Sequence, residues 1–261
     1  QNPRITHHDR THHLPVGRRK IFSSMTMISE AVILAGGLGT RLKSAVPDLP
    51  KCMAPVAGRP FIDYVIQELL DQKVSKIIFS LGYMHEVVLQ HLNEKWPDLH
   101  YEYCIESSPL GTGGAIYLAS EHVQEDHFVV VNGDTLFRVD LASMYGQHLN
   151  LQAFITLALK PMQHFDRYGS VILDESQTII SFKEKTFIAD GLINGGTYII
   201  QKSTFQQLQL PEVFSFEKDV LETHIENRML KGFVSNEYFI DIGIPEDFLR
   251  ASNDLKDYFK H

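Results

Sequence analysis

The chain has 261 residues, 44% of them hydrophobic and 21% charged, ordinary proportions for a soluble globular protein that can bury a substantial core. Its formal charge of −8 argues against nonspecific binding to nucleic acid or an anionic membrane, and any site for a polyanion must be locally basic or metal-bridged. Two cysteines, Cys52 and Cys104, build no disulfide framework and suit a reducing cytoplasm, and no apolar run nears the roughly 20 residues that span a bilayer.

Residues 1–27 stand apart. Arg4, Arg10, Arg18, Arg19 and Lys20 face Asp9 alone, and four histidines are scattered among them. No apolar core of a secretory signal is present. The segment is expected to be an extension of cloning or start-site origin, with the natural start near Met25 or Met27, and a candidate contact with a neighbouring subunit in a homo-oligomer.

From Ile28 onward, short apolar runs alternate with amphipathic stretches. "AVILAGG" predicts a buried strand and turn, and Phe61, Ile62, Val65, Ile66, Leu69 and Leu70 recur at helical spacing. "KIIFSLGY" predicts a strand, "HEVVLQHLNEKW" a helix ending before Pro97, and "LHYEYCIE" a strand. A helix is expected after the glycines of "GTGGAIYLASEHV", then a buried strand in "HFVVVNGD". The second half reads differently: "LQAFITLALK", "GSVILDE", "TIISFKEK" and "LINGGTYIIQ" are strands with few helices between them. "SFEKDVLETHIENRM" is helical, and "EYFIDIG" precedes a last helix opened by Pro245, Glu246 and Asp247. The pattern predicts one α/β domain, with a mainly parallel layered sheet and antiparallel additions.

Ligands in open α/β sheets collect beyond the carboxyl ends of the strands, and the unusual residues of this chain fall there. "GGLGTR" follows the first strand, where glycine backbone can approach phosphate oxygens. Arg41 and Lys51 are cations that a simple corner does not need. The dinucleotide fingerprint fails, because G-x-G-x-x-G counted from Gly37 needs glycine where Leu42 stands, and G-x-x-x-x-G-K-[ST] is also missing. "VVVNGDT" ends a strand in Asp134, and "YFIDIG" ends another in Asp241. Two carboxylates at strand ends on one edge suit a hard divalent ion, Mg²⁺, bridging to phosphate oxygens.

"LAGGLGTRL…PKCMAPVAGRPFIDY" resembles the signature of the sugar-1-phosphate nucleotidyltransferases, and "PLGTGGA", "NGDT", "FKEK", "INGGTY" and "DIGIPEDF" follow in that family's order. The resemblance covers Ile28 to the C-terminus. It implies a Rossmann-like three-layer fold over residues 28–261 and a reaction of sugar 1-phosphate with NTP giving NDP-sugar and pyrophosphate. It also implies roles. Leu34, Gly36, Gly37, Gly39 and Thr40 hold the nucleotide together with Glu106, Gly111 and Thr112. Arg41 takes the leaving phosphates and Lys51 the α-phosphate, while Asp134 and Asp241 hold Mg²⁺. Glu184, Lys185, Asn194 and Gly195 bind the sugar phosphate, and the backbone of Gly169 meets sugar hydroxyls. Cys52 and Thr186 stand where proline is usual, and neither change removes a reacting group; Cys52 reads as a packed small side chain.

Glu106 stands where the uridylyl- and thymidylyltransferases aligned here carry glutamine. A carboxylate offers only acceptors, which suits the adjacent N–H and NH₂ donors of guanine and favours GTP. The motif set looks most like bacterial D-glycero-α-D-manno-heptose 1-phosphate guanylyltransferases, which serve surface polysaccharide synthesis in the cytoplasm. Mannose, glucose or N-acetylmuramate 1-phosphate with GTP, UTP or dTTP is the alternative within the family. A non-catalytic NDP-sugar-binding regulatory protein could dispense with Arg41, Lys51 or an aspartate, yet all four are present.

Overall fold

The apolar run after Glu30 becomes an interior strand of a nine-stranded sheet. A computed structural model describes residues 27–37, 48–183 and 185–259; of the expected extension over residues 1–27, all but Met27 lies outside them. Strand β1 (Glu30–Leu34) leads to a 3₁₀ turn (Lys51–Met53), the small β2 (Pro55–Val56) and β3 (Arg59–Pro60) hairpin, and helix α1 (Phe61–Asp71). Then come β4 (Lys76–Leu81), α2 (His85–Lys95), β5 (Tyr101–Ile105), α3 (Gly111–Ser120), β6 (His127–Asn132), β7 (Thr135–Phe137) and α4 (Leu141–Asn150). The second half holds β8 (Ile155–Phe165), β9 (Ser170–Leu173), β10 (Ile179–Lys183), β11 (Ile188–Gln201), α5 (Lys202–Gln206), β12 (Leu230–Val234), β13 (Phe239–Asp241) and α6 (Pro245–Asp254).

The sheet path is β10-β9-β11-β6-β1-β4-β5, with β8 added to β11 and β12 to β8. Strands β6, β1, β4 and β5 run parallel; β11 is antiparallel to β6, β8 and β9. Strand alternation sends Ile33, Phe79 and Val131 to one face, where they join the apolar sides of α1, α2, α4 and α6. Val32, Ile78 and Val130 point to the other face, toward α3, α5 and the helical segment after Phe214. This is the expected three-layer arrangement. Ala31, Val32 and Ile33 are fully buried, as a parallel strand covered on both faces requires.

Three details differ from the sequence expectation. Helix α3 starts at Gly111 and contains its glycines, because the segment Glu212–Phe214 occupies the space that side chains would need. The "SFEKDVLETHIENRM" stretch forms a π-helical turn (Phe216–Glu222) and a 3₁₀ turn (Ile225–Asn227) in place of one regular helix. The strand carrying Asp241 lies in a two-stranded ribbon with β7, separate from the main sheet. Helix α4, with Asp140 accepting from the Ser143 N–H as its cap, buries His148, whose Nδ1 meets Thr156 Oγ1 at 2.8 Å. Its Nε2 has no hydrogen-bond partner among the described residues. No helix among the described residues is long and apolar enough to cross a membrane.

Candidate active site

A cavity of about 790 Å³ opens at the carboxyl ends of the parallel strands. Its floor is made by Leu34–Gly37 at the end of β1, Ser80 and Gly82 of and after β4, Glu106 after β5, and Asn132–Asp134 at the end of β6. The backbone ladder continues past the strand ends and holds this floor: Ala35 N–H donates to Ser80 O, Gly133 N–H to Leu34 O, and Glu106 N–H to Leu81 O, each at 2.8 Å. At Gly36 a side chain would stand 2.5 Å from Glu106 Oε1 and 3.3 Å from the Gly82 nitrogen, whereas at Gly37 it would meet none of the described residues within 4 Å. The first glycine serves close packing; the second is exposed and lines the cavity.

Lys51 begins the 3₁₀ turn after Pro50, with Cys52 and Met53 buried behind it. Its ammonium donates to Asp134 Oδ2 and lies 3.6 Å from Asp241 Oδ1. The β7–β13 register brings the two carboxylates together, since Thr135 pairs with Asp241 and Ile242 N–H donates to Asp134 O at 3.0 Å. Gly243 N–H donates to Asp241 Oδ1 at 2.7 Å and orients that carboxylate. Among the described residues no group of three or more His, Cys, Asp or Glu side chains converges as a metal cage. Two hard carboxylates already gathered around a cation nevertheless fit an ion such as Mg²⁺, which takes one or two protein carboxylates and completes its shell with phosphates and water.

Glu106 is half-buried on the cavity wall. Its Oε2 accepts from Leu110 N–H at 2.9 Å, which folds the 106–110 loop back on itself, and its Oε1 packs over Gly36. Gly111 and Thr112 line the same wall. The Thr112 hydroxyl donates to Glu217 Oε2 at 2.8 Å and accepts from Phe216 N–H at 3.0 Å, so it ties the start of α3 to the π-helical turn.

The cavity thus brings together Leu34, Gly36, Gly37, Lys51, Glu106, Gly111, Thr112 and Asp134, with Asp241 joined through Lys51. Gly39, Thr40, Arg41 and Glu184 lie outside the described residues. The remaining expected sugar-side residues are not among those lining the cavity. Lys185 is exposed, and Gly169 packs against Lys183 O, 2.7 Å from where its side chain would start. Asn194 donates to Tyr198 OH at 2.9 Å and accepts from Gly196 N–H at 3.0 Å across a bulge in β11. Gly195 gives way to the Phe137 ring.

Asn132 connects the two groups. It lines the cavity, and its amide nitrogen is 2.5 Å from where a side chain on Gly196 would begin. Its only local signal is that it is the first polar residue after Val129, Val130 and Val131. Arg167 and Tyr168 have no local pattern that marks them. Arg167 Nη2 bonds Asp247 Oδ2 at 2.7 Å, and the Tyr168 phenol is pushed up to about 12 by burial and then by the nearby Asp241 charge. Cys52 touches the cavity, but burial and then Asp134 push its thiol up to about 12, so it is a poor nucleophile.

A nucleotidyl transferase family model matches residues 30–258. The chain is 47% identical over 229 residues to a D-glycero-alpha-D-manno-heptose 1-phosphate guanylyltransferase of Aneurinibacillus thermoaerophilus, covering 88% of this chain and 99% of that one. Identity to a protein of the same description from Campylobacter jejuni is 42%, over 84% of this chain and 96% of the relative. The crystal structure of HddC from Yersinia pseudotuberculosis, also solved complexed with GMP-PN, is similar at a TM-score of 0.79 and 37% identity, covering 88% of this chain and all of that one.

Proposed function

Because the chain belongs to the nucleotidyl transferase family, we propose that it is a guanylyltransferase that joins GTP to D-glycero-α-D-manno-heptose 1-phosphate. A phosphate oxygen of the sugar phosphate attacks the α-phosphorus of GTP. The bond from that phosphorus to the β-bridging oxygen breaks, leaving GDP-heptose and pyrophosphate. The nucleophile is already anionic, so no general base is required, and the protein's task is to align two anions and offset their charge. The observation that carries this reading is the meeting of Lys51, Asp134 and Asp241 beside a cavity walled by Glu106.

In this reading Lys51 contacts the α-phosphate, and the exposed backbone at Gly37 approaches the triphosphate. The acceptor-only carboxylate of Glu106 addresses the guanine donors. Asp134 and Asp241 hold Mg²⁺, which when bound supplies positive charge to the phosphates. Gly169, Lys185, Asn194 and Gly195 serve the sugar phosphate. Two buried free cysteines suit a cytoplasmic enzyme, and residues from about Ile28 onward act as one catalytic domain.

The test is pyrophosphate release with Mg²⁺, each of five NTPs, and heptose, mannose, glucose and N-acetylmuramate 1-phosphates. Turnover is expected with GTP and the manno-heptose 1-phosphate well above every other pair. Preference for UTP or dTTP would overturn the guanine assignment, and preference for another sugar would overturn the heptose.

A further inference from the structure

Lys51 places an ammonium between the two carboxylates best suited to a metal. It donates to Asp134 Oδ2 and stands 3.6 Å from Asp241 Oδ1. The backbone closes one side: a side chain on Gly243 would begin 2.9 Å from Asp241 Oδ1 and 3.2 Å from Lys51 Nζ. The Lys51 side chain is only 13% exposed, against 32% and 28% for the two aspartates. The side chain is therefore largely buried, with its ammonium held against these carboxylates. A divalent ion that takes the same oxygens must expel it, because two cations cannot share them without strong repulsion. The 3₁₀ turn is anchored by buried Cys52 and Met53, so the flexible four-carbon stem is the part free to move.

We infer that Lys51 is a tethered counter-cation that keeps the metal site closed in the free protein until a nucleoside triphosphate draws it away. The inference rests on the two-aspartate metal site of the proposed function. The α-phosphate gives the ammonium a second anionic partner; once Lys51 moves to it, both carboxylates are open to the divalent ion. Metal and nucleotide then bind with positive coupling, and the protein alone has low affinity for the metal. Lys51 thus orders the binding steps in addition to contacting the phosphate.

The experiment is a titration of the full chain with Mn²⁺ alone, without nucleotide, reading free Mn²⁺ by electron paramagnetic resonance. Lys51→Met keeps the stem and removes the charge; Lys51→Gln is the second variant should the first fail to fold. Each removes the competing cation, so Mn²⁺ affinity of the free protein is expected to rise about tenfold or more, within the usual range of coupling between sites. Adding Asp134→Asn to either variant is expected to abolish the gain. Equal or weaker Mn²⁺ binding in the folded Lys51 variants would overturn the inference. If wild-type protein nonetheless binds Mn²⁺ in an Asp134-dependent way, the metal site stands and only the gating role falls. If no variant shows Asp134-dependent binding even with GTP added, both readings fall together.

Discussion

Thr135 and Asp241 are register partners in the β7–β13 ribbon, and this pairing sets Asp134 beside a carboxylate far along the chain, with the Lys51 ammonium between them. Asp134→Asn and Asp241→Asn keep the shape of each side chain, and an amide oxygen can still accept from Gly243 N–H. Each is expected to lower kcat by at least about 100-fold, the scale seen when one electrostatic element of a charged transition state is removed. Unchanged circular dichroism alongside lost pyrophosphate release would locate the effect in the chemistry. Full activity in either variant would remove that aspartate from the site.

Glu106→Gln tests base selection. A glutamine carbonyl can still accept from Leu110 N–H, so the loop is expected to keep its fold. The second acceptor becomes a donor, facing the guanine donors. Losing a hydrogen bond to a charged group costs about 1.5–3 kcal/mol, so kcat/KM for GTP is expected to fall about 10- to 100-fold while UTP or dTTP gains. Competition kinetics with paired nucleotides reads the ratio directly. An unchanged ratio would assign Glu106 to holding the loop alone.

Gly113→Ala tests the packing that shapes the nucleotide wall. The new methyl would stand 2.2 Å from the buried Phe214 ring, and the ring has to move. Overpacking of this kind costs about 1–3 kcal/mol, or roughly 2–4 °C of Tm per kcal/mol for a chain of this size class. Nucleotide KM should rise in parallel, since Gly113 N–H donates to Phe214 O and Phe214 N–H to Leu110 O at 3.0 Å each. A thermal scan with unchanged Tm would show that the ring has room to yield.

His148 sets a pH dependence. Burial, and then the facing His127, hold its imidazole down at about 3; the ring of His127 on β6 lies 5.1 Å away, and Tyr145 on α4 packs alongside. The unfolded chain takes up this proton near the ordinary value of about 6.5, and the folded chain refuses it until about 3. Stability is therefore fully present above about pH 6.5 and declines as pH falls, by up to about 1.4 kcal/mol per pH unit from this group. His148→Gln removes the titration. Between pH 7.5 and pH 5, denaturant unfolding should show wild type losing about 2 kcal/mol more than the variant. Parallel losses would place the proton uptake elsewhere.

The layered sheet was legible because its signals are local. Ala31–Leu34, Lys76–Leu81 and His127–Asn132 are apolar runs that end in glycine or a turn, and α1 repeats its apolar residues at helical spacing. The glycines of α3 read locally as a preface to the helix, yet they lie inside it. Glycine disfavours a helix interior by about 1 kcal/mol per residue, and the compensating contact comes from Phe214, about a hundred positions away, which no local pattern reports.

By itself, the sequence determined the order of strands and helices, the glycine turn after β1, and the residue types that a charged phosphate site needs. Only the tertiary structure decided which of them meet. Asp241 reaches Asp134 through a three-residue ribbon outside the main sheet, Lys51 lies between them, and Glu106 spends one oxygen on its own loop. Asn132 joins the cavity to the β11 bulge because Gly196 leaves room for its amide. Periodicity records which face of an element is buried; which side chains share a cavity depends on strand register and on packing between segments distant in the chain.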